Sequence, residues 1–237
     1  MNSKECWDMQ AERYQNSVYT NSSDYTTRLF SYLRSTGALY PGCTVADIGC
    51  GAGKNAIHFA ENGSPLLLVD ISDKMMEYAL GNLKDYHIPI ESAVCDWTKT
   101  DTNSMGWNAS VELAFGAMTP ALESIDDLRK FSSISKKFCF ISMFSDYEDA
   151  IAESFVSGSR KFPDAHLKCS EKVSQILQLG YYPDLHFVDY DWENLLTLDE
   201  AVSIYQDSTR DDPHSLIHKL EPFTDSDGMV HQYVHTK

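Results

Sequence analysis

The sequence predicts an α/β protein built on a doubly wound, mostly parallel sheet. Through the first half, short apolar runs alternate with amphipathic helical segments, as repeated right-handed βαβ crossovers require. One run, Leu66-Leu67-Leu68-Val69, holds no polar residue at all, which fits a strand covered on both faces. Another run, residues 44–48, passes directly into Gly49-Cys50-Gly51-Ala52-Gly53, and a helical pattern follows it.

The elements can be justified in order. Residues 3–35 read as a helical N-terminal segment. Residues 44–48 form the first strand, closed by Gly49. Residues 54–61 have helical character and stop at Asn62-Gly63, a C-terminal signal. Residues 66–69 form the second strand, ending at Asp70. Ser72 can cap the next helix, where Met75, Met76, Ala79, Leu80 and Leu83 recur at helical spacing. Residues 89–94 read as the third strand, 111–115 as the fourth and 138–144 as the fifth, with a helix over 125–131. Beyond these, the pattern predicts a helix over 168–179 ended by Gly180, a strand over 185–190, a short helix over 198–206 and a last strand over 229–234. Residues 207–226 are rich in Asp, Ser, Thr and Pro and read as a surface excursion. No linker stands out. The expectation is one domain over 1–237, with a helical cap at 3–35 and an insertion at 192–226.

The 237 residues are 43% hydrophobic and 23% charged, enough to bury a sizeable core. Nineteen Lys and Arg face 35 Asp and Glu, for a net charge of −16. That field repels a phosphate backbone and an anionic bilayer, so neither nucleic acid nor membrane is the expected partner. No apolar run reaches the length of a transmembrane helix, and the polar start carries no signal-peptide core. The six cysteines include no Cys-x-x-Cys pair. Cys95 and Cys139 lie in apolar runs and read as reduced, buried thiols, pointing to the cytoplasm and to no metal site.

Glycine permits positive φ and lets a ligand touch backbone where a Cβ would block it. The helix beyond the loop presents free N–H groups. A dinucleotide fingerprint would be Gly-x-Gly-x-x-Gly, but Lys54 stands at its third glycine position and Gly53 comes one residue early. Asp47 precedes the loop, where a carboxylate suits a protonated amine better than a pyrophosphate. Asp70, ending the second strand, suits a ribose diol. Asp96, after the third strand, suits the exocyclic amine of adenine, with Trp97 as apolar surface for the ring. Ligands in open α/β sheets bind at this strand edge. An amino acid, a ribose and an adenine together describe S-adenosyl-L-methionine.

These residues resemble the class I S-adenosylmethionine-dependent methyltransferases. The resemblance rests on Val45 to Gly53, Leu66 to Asp73 and Cys95-Asp96-Trp97. It is nearest to the small-molecule branch with ubiquinone and menaquinone methyltransferase-like proteins, which also show a pattern like Trp7-Asp8-x-x-Ala11-x-x-Tyr14. It implies a Rossmann-like seven-stranded sheet with one antiparallel strand, here residues 229–234. It implies that Asp47 and the loop Gly49, Cys50, Gly51 and Gly53 flank the methionine part. Asp70, with Ile71, would take the ribose; Asp96 and Trp97 would hold the adenine; Tyr14 would close over the cofactor. Gly116 and Ala117, with Met118, would lie beside the methionine part or the methyl group.

Methyl transfer is an in-line displacement at a sulfonium that is already activated, so the protein chiefly aligns the reactants and excludes water. No catalytic residue can be named on that basis. Phe115 to Pro120 lacks the Asn/Asp-Pro-Pro-aromatic tetrapeptide of adenine and glutamine N-methyltransferases. With the charge, this points to a small-molecule acceptor, neutral or cationic, and to S-adenosyl-L-homocysteine as the product. His58 reads as a packing residue. His214 and His218, spaced i, i+4, read as surface residues rather than metal ligands. His166 and His231 have no argued partner. The aromatics Tyr181, Tyr182, Phe187, Tyr190 and Trp192 read as core rather than a cation cage. The competing readings are a non-catalytic S-adenosylmethionine-binding or regulatory protein on the same fold, and a nicotinamide-dependent oxidoreductase.

Overall fold

The computed structural model describes residues 3–20, 24–155, 165–209 and 212–236. In chain order the elements are α1 (Ser3–Thr20), α2 (Asp24–Ser35), β1 (Val45–Ile48), α3 (Lys54–Glu61), β2 (Leu66–Asp70) and α4 (Asp73–Leu83). Then follow β3 (Ile90–Val94), β4 (Val111–Ala117), α5 (Ile125–Ile134), β5 (Ser135–Ser142), β6 (Tyr147–Asp149) and α6 (Ala150–Phe155). The last are α7 (Ala165–Gln178), β7 (Tyr190–Thr197), α8 (Leu198–Thr209), α9 (Pro213–Leu220) and β8 (Met229–Thr236). They divide into two compact units: residues 1–143 with 172–183, and residues 144–171 with 184–237.

In the first unit five strands form one parallel sheet in the order β3-β2-β1-β4-β5. Alternate residues of the central strands enter opposite cores. Val45, Leu66, Leu68, Leu113 and Phe115 pack with Phe30, Leu33, Phe59 and Met75 from the helices on one face. Ala46, Ile48, Leu67, Val69 and Ala114 pack with Trp107, Leu128, Phe131 and Ile134 on the other. This is why the second strand can be wholly apolar: both its faces are covered. Phe115 sits edge-on to Phe59 at 5.0 Å and stacks on Phe140 at 5.3 Å. Removing a ring from this group would cost about 3–5 kcal/mol.

Local signals close each element. Asn62 and Gly63 (φ 73°) end α3. Ser72 caps α4, accepting the Met75 N–H. Ser124 and Asp127 form a capping box at α5.

The second unit is an antiparallel sheet, β6-β8-β7, packed against α6, α8 and α9. Its core gathers Ile151, Leu196, Ala201, Tyr205, Leu216, Leu220 and Val230. At its centre Asp149, 1% exposed, accepts four hydrogen bonds, from the Ile151 and Ala152 N–H groups, the Tyr205 hydroxyl and the Gln232 amide. A buried carboxylate is tolerable only when its oxygens are filled in this way.

The second half departs from the sequence expectations. β8 does not join a seven-stranded sheet. One of its edges pairs with β6 and the other with β7, over Tyr190↔Thr236 to Thr197↔Met229, so it has no edge to offer a second sheet. The expected strand at 185–190 begins only at Tyr190, because the period-two burial pattern runs through 190–197. The excursion at 207–226 contains a helix. Asp212 caps α9 through the His214 and Ser215 N–H groups, Pro213 stands in its first turn, and Leu216 and Leu220 are buried one turn apart. Tyr181, Tyr182 and Phe187 are exposed rather than core, while Trp192 stacks between Phe144 and Tyr190. Cys139 is exposed and Cys95 half-buried, and all six cysteines are free.

Candidate functional site

The C-terminal edge of the parallel sheet gathers the predicted loop and acids. β1 ends one residue after Asp47. Strand alternation places Asp47 with Val45, on the face covered by the helical core. Asp47 is 2% exposed, and its Oδ2 has no hydrogen-bond partner. Burial, and then the nearby charge of Asp70, push its carboxyl up to about 8. An uncompensated carboxylate there is costly, so the position favours either a proton or a cation from outside the chain.

The loop then folds back on β2. The Gly49 and Cys50 N–H groups both donate to the Val69 carbonyl, at 2.7 and 3.1 Å. Gly49 has φ 76°, and a Cβ there would lie 2.1 Å from Thr119 Oγ1, so only glycine fits. Gly51, at φ 54°, is different: a Cβ would meet nothing within 4 Å. Its missing side chain leaves open space rather than room for protein. Cys50 is buried and its thiol is pushed well up, so it takes no part as a thiolate.

Asp70 is 9% exposed and is clasped by backbone: the Gly51 N–H donates to Oδ2 at 2.8 Å and the Ser72 N–H to Oδ1 at 2.9 Å. Each oxygen keeps acceptor capacity for a further donor. Burial raises its pKa against the pull of those N–H groups. Ile71 stands half-buried between Asp70 and Ser72. Tyr14, on α1, stacks edge-on to Trp7 at 5.9 Å. Burial raises its phenol pKa, and the charge of Asp70 adds to that.

The third acid is placed differently. Asp96 caps a 3-10 turn, Trp97–Lys99, accepting from the Thr98 N–H and hydroxyl and pairing with Lys99 at 2.7 Å. Lys99 and Thr98 hold its carboxyl below the ordinary range. Trp97 is 3% exposed; its indole N–H points at the Asp127 carbonyl and the Lys130 ammonium lies over its ring, 5.6 Å from the centre. The ring is part of the second core and offers no open face. A Cβ at Gly116 would lie 2.5 Å from Cδ1 of the buried Leu122, whose side chain would have to shift, so Gly116 packs closely against the second core. Ala117 ends β4 half-buried, and Met118 follows at φ 50° with its side chain exposed, a strained position for a residue other than glycine.

Sequence reasoning missed two contributors. Thr119 fills the space above Gly49 and caps the turn after β4 through the Ala121 N–H. Asp8, on α1, accepts from the Ser72 hydroxyl at 2.5 Å and pairs with Lys4. Their contacts with Gly49 and Ser72 have no local sequence signal, because each partner is more than 60 positions away. His58 packs on Phe30 as expected, 4.9 Å between ring centres, and pairs with Glu61. His214 and His218 lie side by side on α9, and His218 pairs with Glu221. His231 is held between Glu193 and Asp225, and the side chain of His166 lies outside the described residues. Among the described residues no group of three or more His, Cys, Asp or Glu could hold a metal ion, and no helix is long and apolar enough to cross a membrane.

This strand edge coincides with the region where the chain resembles known proteins. Residues 45–131 match the family model described as a methyltransferase domain. A stretch of 67 residues is 37% identical to glycine N-methyltransferase of Oryctolagus cuniculus, covering 28% of this chain. The match spans only 21% of that curated relative's length. Magnesium protoporphyrin IX methyltransferase from Synechocystis PCC 6803, solved with bound SAH, superposes with a TM-score of 0.53 at 11% identity, covering 99% of this chain and 97% of that one. A methyltransferase-like protein from Bacillus halodurans C-125 superposes at 0.50 and 10% identity, over 87% and 96% of the two chains. At such identities the superpositions establish the fold alone: this chain shares with both proteins an α/β architecture with a parallel central sheet.

Proposed function

We propose that the chain is an S-adenosylmethionine-dependent methyltransferase acting on a small molecule. The observation that carries this is Asp47: a buried carboxyl without a hydrogen-bond partner at Oδ2, behind a glycine loop with open space at Gly51. A cofactor with a cationic amino-acid end supplies the missing charge; a pyrophosphate would add a second anion. Asp70 keeps acceptor capacity for two ribose hydroxyls. Asp96 contributes at the adenine end only through capacity left over from its own turn. Trp97 acts beneath, by fixing that turn. Tyr14, Ile71, Gly116 and Ala117 complete the candidate wall.

The bound cofactor supplies an activated methyl group on a sulfonium. The chain's own part is to orient donor and acceptor and to exclude water, which alone can account for large accelerations. α1 is suited to covering the loop, and Met118 at the tip of β4 to facing the acceptor. The charge of −16 favours a neutral or cationic acceptor. The six unpaired thiols fit a reducing compartment such as the cytoplasm. The test is turnover: purified protein, methyl-labelled S-adenosylmethionine and fractionated small metabolites, with S-adenosylhomocysteine formation as the readout. Label entering one fraction supports the reading. Cofactor binding without turnover in any fraction favours a regulatory binding protein instead.

A further inference from the structure

We propose that α1 is a strap that holds the glycine loop and Asp70 in their cofactor-binding geometry, with Asn82 and Ser72 as the positioning residues through which it acts. This rests on the S-adenosylmethionine reading above.

The first relay runs through Asn82, in the last turn of α4. Its amide nitrogen donates to the Ala52 carbonyl at 2.9 Å and to Gln15 Oε1 at 2.7 Å. Its oxygen accepts from Gln15 Nε2 at 3.0 Å and from the Tyr19 hydroxyl at 3.2 Å. Both amide protons and both lone pairs are therefore committed, one proton to the loop and the rest to α1. Ala52 stands between Gly51 and Gly53, both at positive φ, where the backbone is least restricted. The peptide joining Ala52 to Gly53 is held at both ends, its N–H donating to the Cys50 carbonyl at 3.0 Å and its carbonyl accepting from Asn82.

The second relay runs through Ser72. Its hydroxyl donates to Asp8 on α1, and its Oγ accepts the Met75 N–H. Its own N–H grips Asp70 Oδ1. Lys4, also on α1, spans Asp8 at 2.9 Å and Asp73 at 2.6 Å, which closes this arm onto the start of α4. α1 therefore touches both halves of the candidate site without contributing a ligand through either relay.

Little apolar surface joins these polar bonds in holding α1. Ala11 and Val18 are its buried apolar side chains among the described residues, with Trp7 partly buried. A helix with so little apolar docking sits at the low end of local stability, as a strap that must release its ligand should.

The experiment measures S-adenosylhomocysteine affinity by calorimetry for the wild-type chain, Asn82→Asp, Gln15→Ala and their double variant, with Tm alongside. Asn82→Asp preserves shape and both acceptor contacts to α1 but loses both amide protons, the one given to Ala52 and the one given to Gln15 Oε1. The account expects its Kd to rise about ten-fold, the loss of one positioned hydrogen bond. Gln15→Ala is expected to raise Kd by about three-fold or more. The double variant should be no weaker than Asn82→Asp alone, because both act on one path. Tm should move by only a few degrees in each. Variants that bind within about two-fold of wild type, or whose Kd changes simply add, overturn the strap. A wild-type chain that binds no S-adenosylhomocysteine overturns the cofactor reading and the strap together.

Discussion

Asp47→Asn removes the buried carboxyl near the end of β1 whose Oδ2 lacks a hydrogen-bond partner, and its effect on stability can be worked out. The carboxyl has an ordinary value of 3.8 and is pushed up to about 8 in the fold. Between those values the folded chain holds a proton that the unfolded chain has lost, so stability falls as pH rises through the window and levels off above it. Each pH unit in the window costs about 1.4 kcal/mol, so from pH 5 to pH 8 the loss is about 4 kcal/mol. Asparagine has the same shape and no proton to lose. The charged and titratable groups around the site are Asp70, Cys50, Tyr14 and, through Ser72, Asp8; all remain in the variant, so the difference between the two proteins isolates Asp47. The assay is urea unfolding of both at pH 5, 6, 7 and 8. The wild type should lose stability relative to the variant by several kcal/mol across the series. Saturating S-adenosylmethionine should flatten the slope, because its ammonium holds the carboxylate ionised. A difference that stays constant from pH 5 to pH 8 refutes the argument that Asp47 lacks a partner in the free protein.

Three further outcomes follow from the same geometry. Asp70→Ala strands the Gly51 and Ser72 N–H groups as well as removing the ribose acceptor. It should cost about 1–3 kcal/mol in unfolding free energy and weaken S-adenosylhomocysteine binding at least ten-fold by calorimetry. Gly51→Ala meets no atom and should cost only the left-handed backbone penalty, about 1–2 kcal/mol. Its Cβ occupies the ligand space, so binding should fall far more than stability in the same two measurements. Tyr205→Phe takes a donor from Asp149 in the second unit and should lower stability by about 1–3 kcal/mol with cofactor affinity unchanged.

The parallel sheet and its loop were legible because their signals are local. Leu66 to Asp70 is apolar for a reason that acts within the strand, and the glycines 49, 51 and 53 answer to positive φ at each position. The fate of β8 was not legible, because it depends on which edges β6 and β7 occupy rather than on its own sequence. Nor was the role of Trp97. Adjacency to Asp96 made it read as ligand surface, but the 3-10 turn that Asp96 caps rotates the indole into the core. Nothing in the sequence singles out Asn82, and only the folded chain brings Ala52 and Gln15 to it. The helix at 213–220 did carry a signal, Asp212-Pro213 followed by Leu216 and Leu220 one turn apart, which the surrounding polar residues obscured.

The central claim is that this strand edge accepts an adenosyl amino acid and not a dinucleotide. Titration calorimetry of the intact chain with S-adenosylhomocysteine and, separately, with NAD tests it most directly. The account predicts one-to-one binding of S-adenosylhomocysteine that is lost in Gly51→Ala, and no heat with NAD. Saturable NAD binding, or no binding of S-adenosylhomocysteine at millimolar concentration, would contradict it.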